Sequence, residues 1–428
     1  MSTSHKTLTC LVAVALFGTG ALAGCGQDND AATDGANQSI TIALSSSPSE
    51  VALREIAKEF EAATGIAVTI VDLTYEQIGT KVLLAGKQNT ASYDVVQFDS
   101  PMLAALAAGG ALADIGTYIA ESDKYDAADV PEQVQEYSKF NGTSYGVALS
   151  TEPYILWNNA KLLADNGLIP ADTLDQYAAN AKALQAAGAW GSNSGFGSDI
   201  GAYYWLESVY LFGGRLNQPG QCVSALDSPQ AQEATEFYFD MLPTTPPTSI
   251  NGGGNEMTTA FVQGDVGQMI NATGYYSIVA DPEQSQIPND FEMTPPPQGD
   301  DGRHTLMFGW LIGVTENSTA KDAAWSFIEY ALGKDAIPHL IDLGAPPPAR
   351  YSLTESQAIR DAIPYVDLLV EAAATGEHLT YTPVMSEIIT EVSALLSQAA
   401  TDGSGAAGFL PKAQAKVTEI LGGAETCG

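Results

Sequence analysis

The sequence predicts an α/β protein made of two lobes, and three observations predict it. The body opens by alternating strand and helix, which is the signature of a parallel sheet with helices on its faces. The chain has 428 residues, more than one compact core holds. Hydrophobic residues make up 45% and charged residues 16%, so the chain has the apolar surface to fold and is not disordered.

The elements follow in order. Ile40-Thr-Ile-Ala-Leu44 alternates and starts β-branched, as a strand does, and SSSPSE then supplies a turn and a helix start. Leu53, Ile56, Ala57 and Phe60 fall at i, i+3, i+4 and i+7, one face of an amphipathic helix, and Gly65 stands where a left-handed C′ residue would end it. A strand over Val68–Leu73, a helix over 76–87 and a strand over Tyr93–Phe98 complete βαβαβ. Ligands of such sheets bind beyond the carboxyl ends of the strands, here Ser45–Ser47, Thr74–Tyr75 and Asp99–Ser100. Asp99-Ser100-Pro101 starts another helix, with Ser100 as N-cap and Pro101 at N1.

Short strands are expected at Tyr145–Leu149 and Tyr154–Trp157, then helices over 174–187 and 229–241. A Pro- and Gly-rich loop, PTTPPTSINGGGN, precedes a helical 257–263, a strand over Val266–Ile270 and a second loop, TPPPQGDDG. Leu311–Val314 reads as a strand. A helix over 320–332 turns Ala324, Phe327, Ile328 and Ala331 inward, and the remainder is mostly helical, broken near 403–408.

The segment ahead of the body has one firm positive charge, Lys6, then 16 apolar or small residues, LTCLVAVALFGTGALA. That is short of the roughly 20 a spanning helix needs and fits a secretory signal over 1–24. Leu22-Ala23-Gly24-Cys25 resembles the bacterial lipobox, whose cysteine is diacylated on sulfur and becomes the new N-terminus. A cleaved signal without lipid is the alternative. GQDNDAATDGANQS follows with no apolar periodicity, so 25–38 reads as a flexible tether. Cys10 leaves with the signal and Cys25 would carry lipid. Cys222 and Cys427 remain; outside the membrane they either pair, tying the tail to the middle of the chain, or stay free. No C-x-x-C occurs, which speaks against a zinc ribbon or a thioredoxin-like site. A formal charge of −34 opposes nucleic acid and anionic lipid surfaces and favours solubility.

The order of segments resembles the bacterial extracellular solute-binding proteins of the sugar-binding class, the receptors of ATP-driven ABC importers. The resemblance rests on ITIAL…LREIAKEFEAATGIAVTIV…YDVVQFDSPMLAALAAGGALADI, on Tyr145–Glu152 followed by Ile155-Leu-Trp-Asn-Asn159, on Ala260–Met269, and on Phe308-Gly-Trp310 with Ala323–Ile328. SINGGGNEMTTAFVQGDVGQMINATGYYSIVADPEQS and GAPPPARYSL are similar to members that bind sugar alcohols or simple sugars. Gly267 departs from the Ala usual there, and Asn271 stands where some polyol binders carry an acid.

The resemblance implies a type II periplasmic-binding-protein-like fold with discontinuous lobes and hinge crossings. One lobe is expected at 39–148 plus 309–334, the other at 149–308 plus 335–428. It also implies a carbohydrate or polyol clamped between the lobes, a monomeric receptor on the extracellular face of the membrane, permease subunits as partners, and no cofactor or metal.

A sugar offers hydroxyls in fixed directions and a weakly apolar C–H face, so carboxylates, amides and aromatic rings suit it. Asp99 follows a strand and would accept from hydroxyls, or close an Asx turn with Ser100 beside it. Glu152 follows the first crossing; a solvated loop acid is the bland reading. Of Tyr203, Tyr204 and Trp205, one is expected on the ligand and the others in the core. Tyr275 and Tyr276 follow a strand, and at least one is expected in the cleft. Asn271 bonds ligand or closes a turn, Trp310 stacks on sugar or packs in the core, and Arg350, after Pro346–Pro348, forks to hydroxyls or pairs with an acid.

A secreted glycoside hydrolase is the competing class, since Asp99 and Glu152 could be a carboxylate pair. However, G-x-S-x-G and H-E-x-x-H are missing, and His304, His339 and His378 lie in separate segments. Gly195-Phe-Gly197 lacks the strand and spacing of a dinucleotide loop. A lipoprotein that binds a non-carbohydrate solute or a protein is the third class.

Overall fold

A computed structural model describes residues 39–45, 47, 49–379 and 382–427. The expected signal over 1–24, tether over 25–38 and lipid-bearing Cys25 lie outside the described residues.

The first sheet begins as expected: β1 (Ser39–Ser45), α1 (Glu50–Thr64), β2 (Ala67–Leu73), α2 (Tyr75–Lys87) and β3 (Val95–Asp99). Strand β1 pairs in parallel with β2 on one side and β3 on the other. Helix α1 buries Leu53, Ile56, Ala57 and Phe60 against the sheet. It ends at Gly65, whose φ of 75° needs no Cβ and lets its N–H cap Glu61. The expected N-cap at Ser100 is displaced by one residue: Asp99 is the cap of a 3₁₀ turn over Ser100–Met102, and the α-helix starts at Leu103.

The chain then makes β4 (Val147–Ala148) and enters the second lobe through β5 (Glu152–Asn159). Strand β5 is the hub of the second sheet. It pairs antiparallel with β6 (Gln268–Ala272), β7 (Phe291–Thr294) and β8 (Met307–Phe308). Strand β9 (Trp310–Val314) returns to the first sheet and inserts antiparallel between β3 and β4, giving the order β2-β1-β3-β9-β4.

Two apolar cores correspond to the two sheets. The first gathers residues from Ile40 to Leu149 and again from Met307 to Ala373. The second runs from Tyr154 to Leu306 and from Leu379 to Leu421. The expected placement of all of 335–428 in the second lobe is therefore corrected: Ile337, Leu340, Val366, Leu369 and Ala373 pack in the first core. The helix over Ile337–Asp342 follows the helix over Lys321–Leu332 by a short turn and stays on its side. The third crossing comes later, where Glu377 N–H bonds Thr305 O at 2.9 Å and Met307 N–H bonds Glu377 O at 2.6 Å. Cys222 and Cys427 form a disulfide, with Cα atoms 5.2 Å apart. Among the described residues no helix is long and apolar enough to cross a membrane.

Candidate ligand-binding cleft

The carboxyl ends of the first sheet supply one wall. Sheet register sets Trp310 directly opposite Asp99. Tyr75, the first residue of α2, donates to Asp99 Oδ2 at 2.9 Å and stands edge-on to Trp310, ring centroids 6.1 Å apart at 87°. The first crossing supplies the floor. Ser150 Oγ donates to Glu152 Oε1 at 2.6 Å and accepts the Trp310 N–H at 3.2 Å.

The second lobe supplies the facing wall. Helix Gly201–Leu211 brings Tyr203 and Tyr204, and the turn after β6 brings Gly274 and Tyr275. Tyr203 meets Phe308 edge-on at 5.4 Å and interacts with Tyr75 across the lobes. Tyr204 stacks on Tyr154 at 5.6 Å and 14°. Two glycines make room. A Cβ on Gly274 would sit 2.5 Å from Glu152 Oε2, and one on Gly254 would sit 2.4 and 2.5 Å from the hydroxyls of Tyr275 and Tyr204.

The electrostatics are those of two acids without a counter-ion. Burial raises the Asp99 carboxyl to about 7; the Tyr75 bond opposes this and the Glu152 charge adds to it. Burial also raises Glu152, against the Ser150 hydrogen bond. Among the described residues no Lys, Arg or His acts on either acid. Burial and the Asp99 charge push the Tyr75 hydroxyl well up, so it stays a donor. The site thus offers acceptors at its centre and hydroxyls and rings around them. Among the described residues no cluster of His, Cys, Asp and Glu could hold a metal ion.

The structure brings together Asp99, Glu152, Tyr203, Tyr204, Tyr275 and Trp310, and leaves the other candidates elsewhere. Ser100 is buried behind Asp99, its N–H bonded to Gly309 O at 3.1 Å. Trp205 is fully buried, donates to Thr235 Oγ1 at 3.0 Å and meets Phe409 edge-on; consecutive helical residues point about 100° apart, so it faces the core while Tyr203 faces the cleft. Asn271 is fully buried: Nδ2 bonds Thr258 Oγ1 at 3.1 Å and Oδ1 accepts the Ala272 N–H at 2.9 Å, which is the turn-closing reading. Tyr276 turns to Tyr365 and Phe291. Arg350 is 1% exposed and held by Tyr125 O, Asp126 O and Leu332 O within the first lobe. Its expected fork to a ligand is corrected, because the chain on both sides of Arg350 packs in the first core and its guanidinium is taken up by first-lobe carbonyls.

The sequence places Tyr75 with Thr74 at a strand end of the binding side but does not single it out as a ligand contact. Its signal is an aromatic immediately after the carboxyl end of a parallel strand. Ser150 and Gly274 act through spacing across chain segments, which one sequence does not display.

The family model for the bacterial extracellular solute-binding protein matches residues 45–337. A Sinorhizobium fredii protein named "Probable amino-acid ABC transporter periplasmic-binding protein y4oP" is 24% identical over 340 residues, covering 78% of this chain and 77% of its own. An ABC transporter solute-binding protein from Agrobacterium radiobacter K84, solved with ribitol, superposes with a TM-score of 0.81 at 19% identity, covering 90% of this chain and 98% of that one. One from Agrobacterium vitis S4, solved with D-mannitol, gives 0.77 at 22% identity over 91% and 100%.

Proposed function

The chain belongs to the bacterial extracellular solute-binding protein family, and from that premise we propose that it clamps a sugar or sugar alcohol between its lobes and delivers it to an ABC importer. One observation carries the reading: Asp99 and Glu152, unpaired by any cation among the described residues, lie among Tyr75, Tyr203, Tyr275 and Trp310. Polyol hydroxyls donate to the two carboxylates, and the C–H face lies on the rings. Ligand contacts made from both lobes favour the closed state. The polyols bound by the Agrobacterium proteins support this choice of ligand.

Cys25 carries the lipid in this proposal and holds a monomeric receptor at the extracellular face of the membrane, beside its permease. The amino-acid reading attached to the Sinorhizobium relative is the competitor. Asp99 and Glu152 would suit the α-ammonium of an amino acid, but among the described residues no Lys, Arg or His acts on these acids that could also meet its α-carboxylate.

Calorimetric titration of the body lacking residues 1–25 against sugars, polyols and amino acids separates the two. Binding of a polyol or sugar is expected; binding confined to amino acids would overturn the carbohydrate reading. Mass spectrometry of the N-terminal peptide is expected to find an acylated Cys25, and a free thiol would remove the anchor.

A further inference from the structure

Four residues after Tyr203, on the same face of helix Gly201–Leu211, stands Glu207. It is a carboxyl only 2% exposed. Its Oε2 accepts the Leu306 N–H at 2.8 Å. Leu306 leads into β8, and Phe308 of β8 is the ring that meets Tyr203 at 5.4 Å and Tyr154 at 5.0 Å. One carboxyl therefore pins the helix that walls the cleft to the strand that crosses between lobes.

The other half of that carboxyl points to something more. Glu207 Oε1 has no protein partner. Asn193, 1% exposed, has an unpartnered Oδ1, while its Nδ2 donates to Met257 O at 2.8 Å and so fixes the orientation of the amide. Glu207 and Asn193 line the same cavity of about 30 Å³, beneath Tyr204 and beside Tyr177, Ser208 and Tyr238. Two acceptor oxygens cannot satisfy one another, and leaving both unpaired in a closed interior is costly. A cavity of this size holds one or two waters, and polar walls give them partners.

We propose that Glu207 is a positioning residue that stays a neutral carboxylic acid, and that its O–H donates to an ordered water in this cavity, which in turn donates to Asn193 Oδ1. The proposal goes beyond the cleft's ligand and does not depend on what that ligand is. The charged and titratable groups around Glu207 agree with it. Tyr154, Tyr204 and Tyr210 are buried neutral phenols. Glu377, the nearest acid, is held by Arg215 and by His304 Nδ1 at 3.0 Å. Burial pushes the Glu207 carboxyl well up; the Leu306 N–H opposes this and the Glu377 charge adds to it.

The sign of the pH effect follows. A carboxyl raised in the fold contributes stability that is complete below its ordinary value of 4.5 and is lost as pH rises toward its folded value. Glu207→Gln keeps the acceptor for Leu306 and cannot ionise. Its melting temperature should therefore gain on the wild type as pH is raised from about 5 to about 9. The infrared difference spectrum, wild type minus Glu207→Gln, should show the carbonyl stretch of a protonated acid near neutral pH, since Asp99 and Glu152 are common to both proteins and cancel. A high-resolution crystal structure should show water within hydrogen-bond reach of both Glu207 and Asn193. A melting difference independent of pH, no protonated-acid band in the difference spectrum, or a dry cavity would each overturn the proposal. None of these readouts needs a ligand, so their failure is separate from failure of the carbohydrate reading.

Discussion

Arg350 and the pair Asp99–Glu152 are both charges taken out of bulk water, yet they are treated in opposite ways. Arg350 donates to three backbone carbonyls, lies 4.8 Å from the Tyr125 ring centre and sits 3.6 Å from buried Asp129. Asp99 and Glu152 each receive one side-chain hydrogen bond, repel each other and, among the described residues, meet no cation. A buried charge whose partners all come from the protein belongs to the architecture. Buried charges left short of partners, in a gap between two lobes, are addressed to something that arrives from outside.

That contrast can be tested at four strengths. Arg350→Ala leaves Asp129 as an uncompensated buried acid and should cost about 3–5 kcal/mol in denaturant unfolding. Unchanged stability with lost ligand affinity would instead return Arg350 to the cleft. Cys222→Ser opens the disulfide to Cys427 and should cost about 2–4 kcal/mol in the same measurement, while leaving the affinity of the folded protein intact. Trp310→Ala should do the reverse. Its ring is half-buried against Tyr75, and calorimetry should show affinity falling by more than about 1 kcal/mol.

Asp99→Asn is the smallest change and the most specific. In the empty wild type the carboxyl is raised from 3.8 to about 7, so the protonated form contributes stability that is complete below 3.8 and lost as pH climbs to about 7. Asn abolishes that slope. Ligand hydroxyls donate to the ionised form, so wild-type affinity should rise with pH through about 7 and that of the variant should not. Parallel pH profiles for the two proteins would show that Asp99 does not meet the ligand.

The strands and helices of the first sheet were legible because each carries its own period: alternation in Ile40–Leu44, and i, i+3, i+4, i+7 in α1. Asp99 and Trp310 were legible as residues at strand ends, though not as cross-strand partners. What sequence could not give was orientation among neighbours. Tyr203, Tyr204 and Trp205 are consecutive and aromatic, and only tertiary packing decides that Trp205 turns to Phe409. The lobe to which 335–373 belongs was hidden for the same reason, since an amphipathic helix announces that it has a buried face and not which core covers it. Asn271 and Arg350 carry the right chemistry for a sugar, but the Asn271 amide is committed to Ala272 and Thr258 and the two terminal nitrogens of Arg350 to backbone carbonyls.

The late arrival of β9 bears on how the newborn chain survives its own synthesis. Strand β3 is made early, but its second neighbour is Trp310–Val314, which the chain reaches only after the first long piece of the other lobe. Until then β3, with Val95, Val96 and Phe98, offers an open apolar edge that any passing strand can extend. That edge closes when β9 docks. Residues 95–98 carry none of the charges or prolines that commonly blunt such an edge, and that edge later accepts β9, which sets Trp310 beside Asp99.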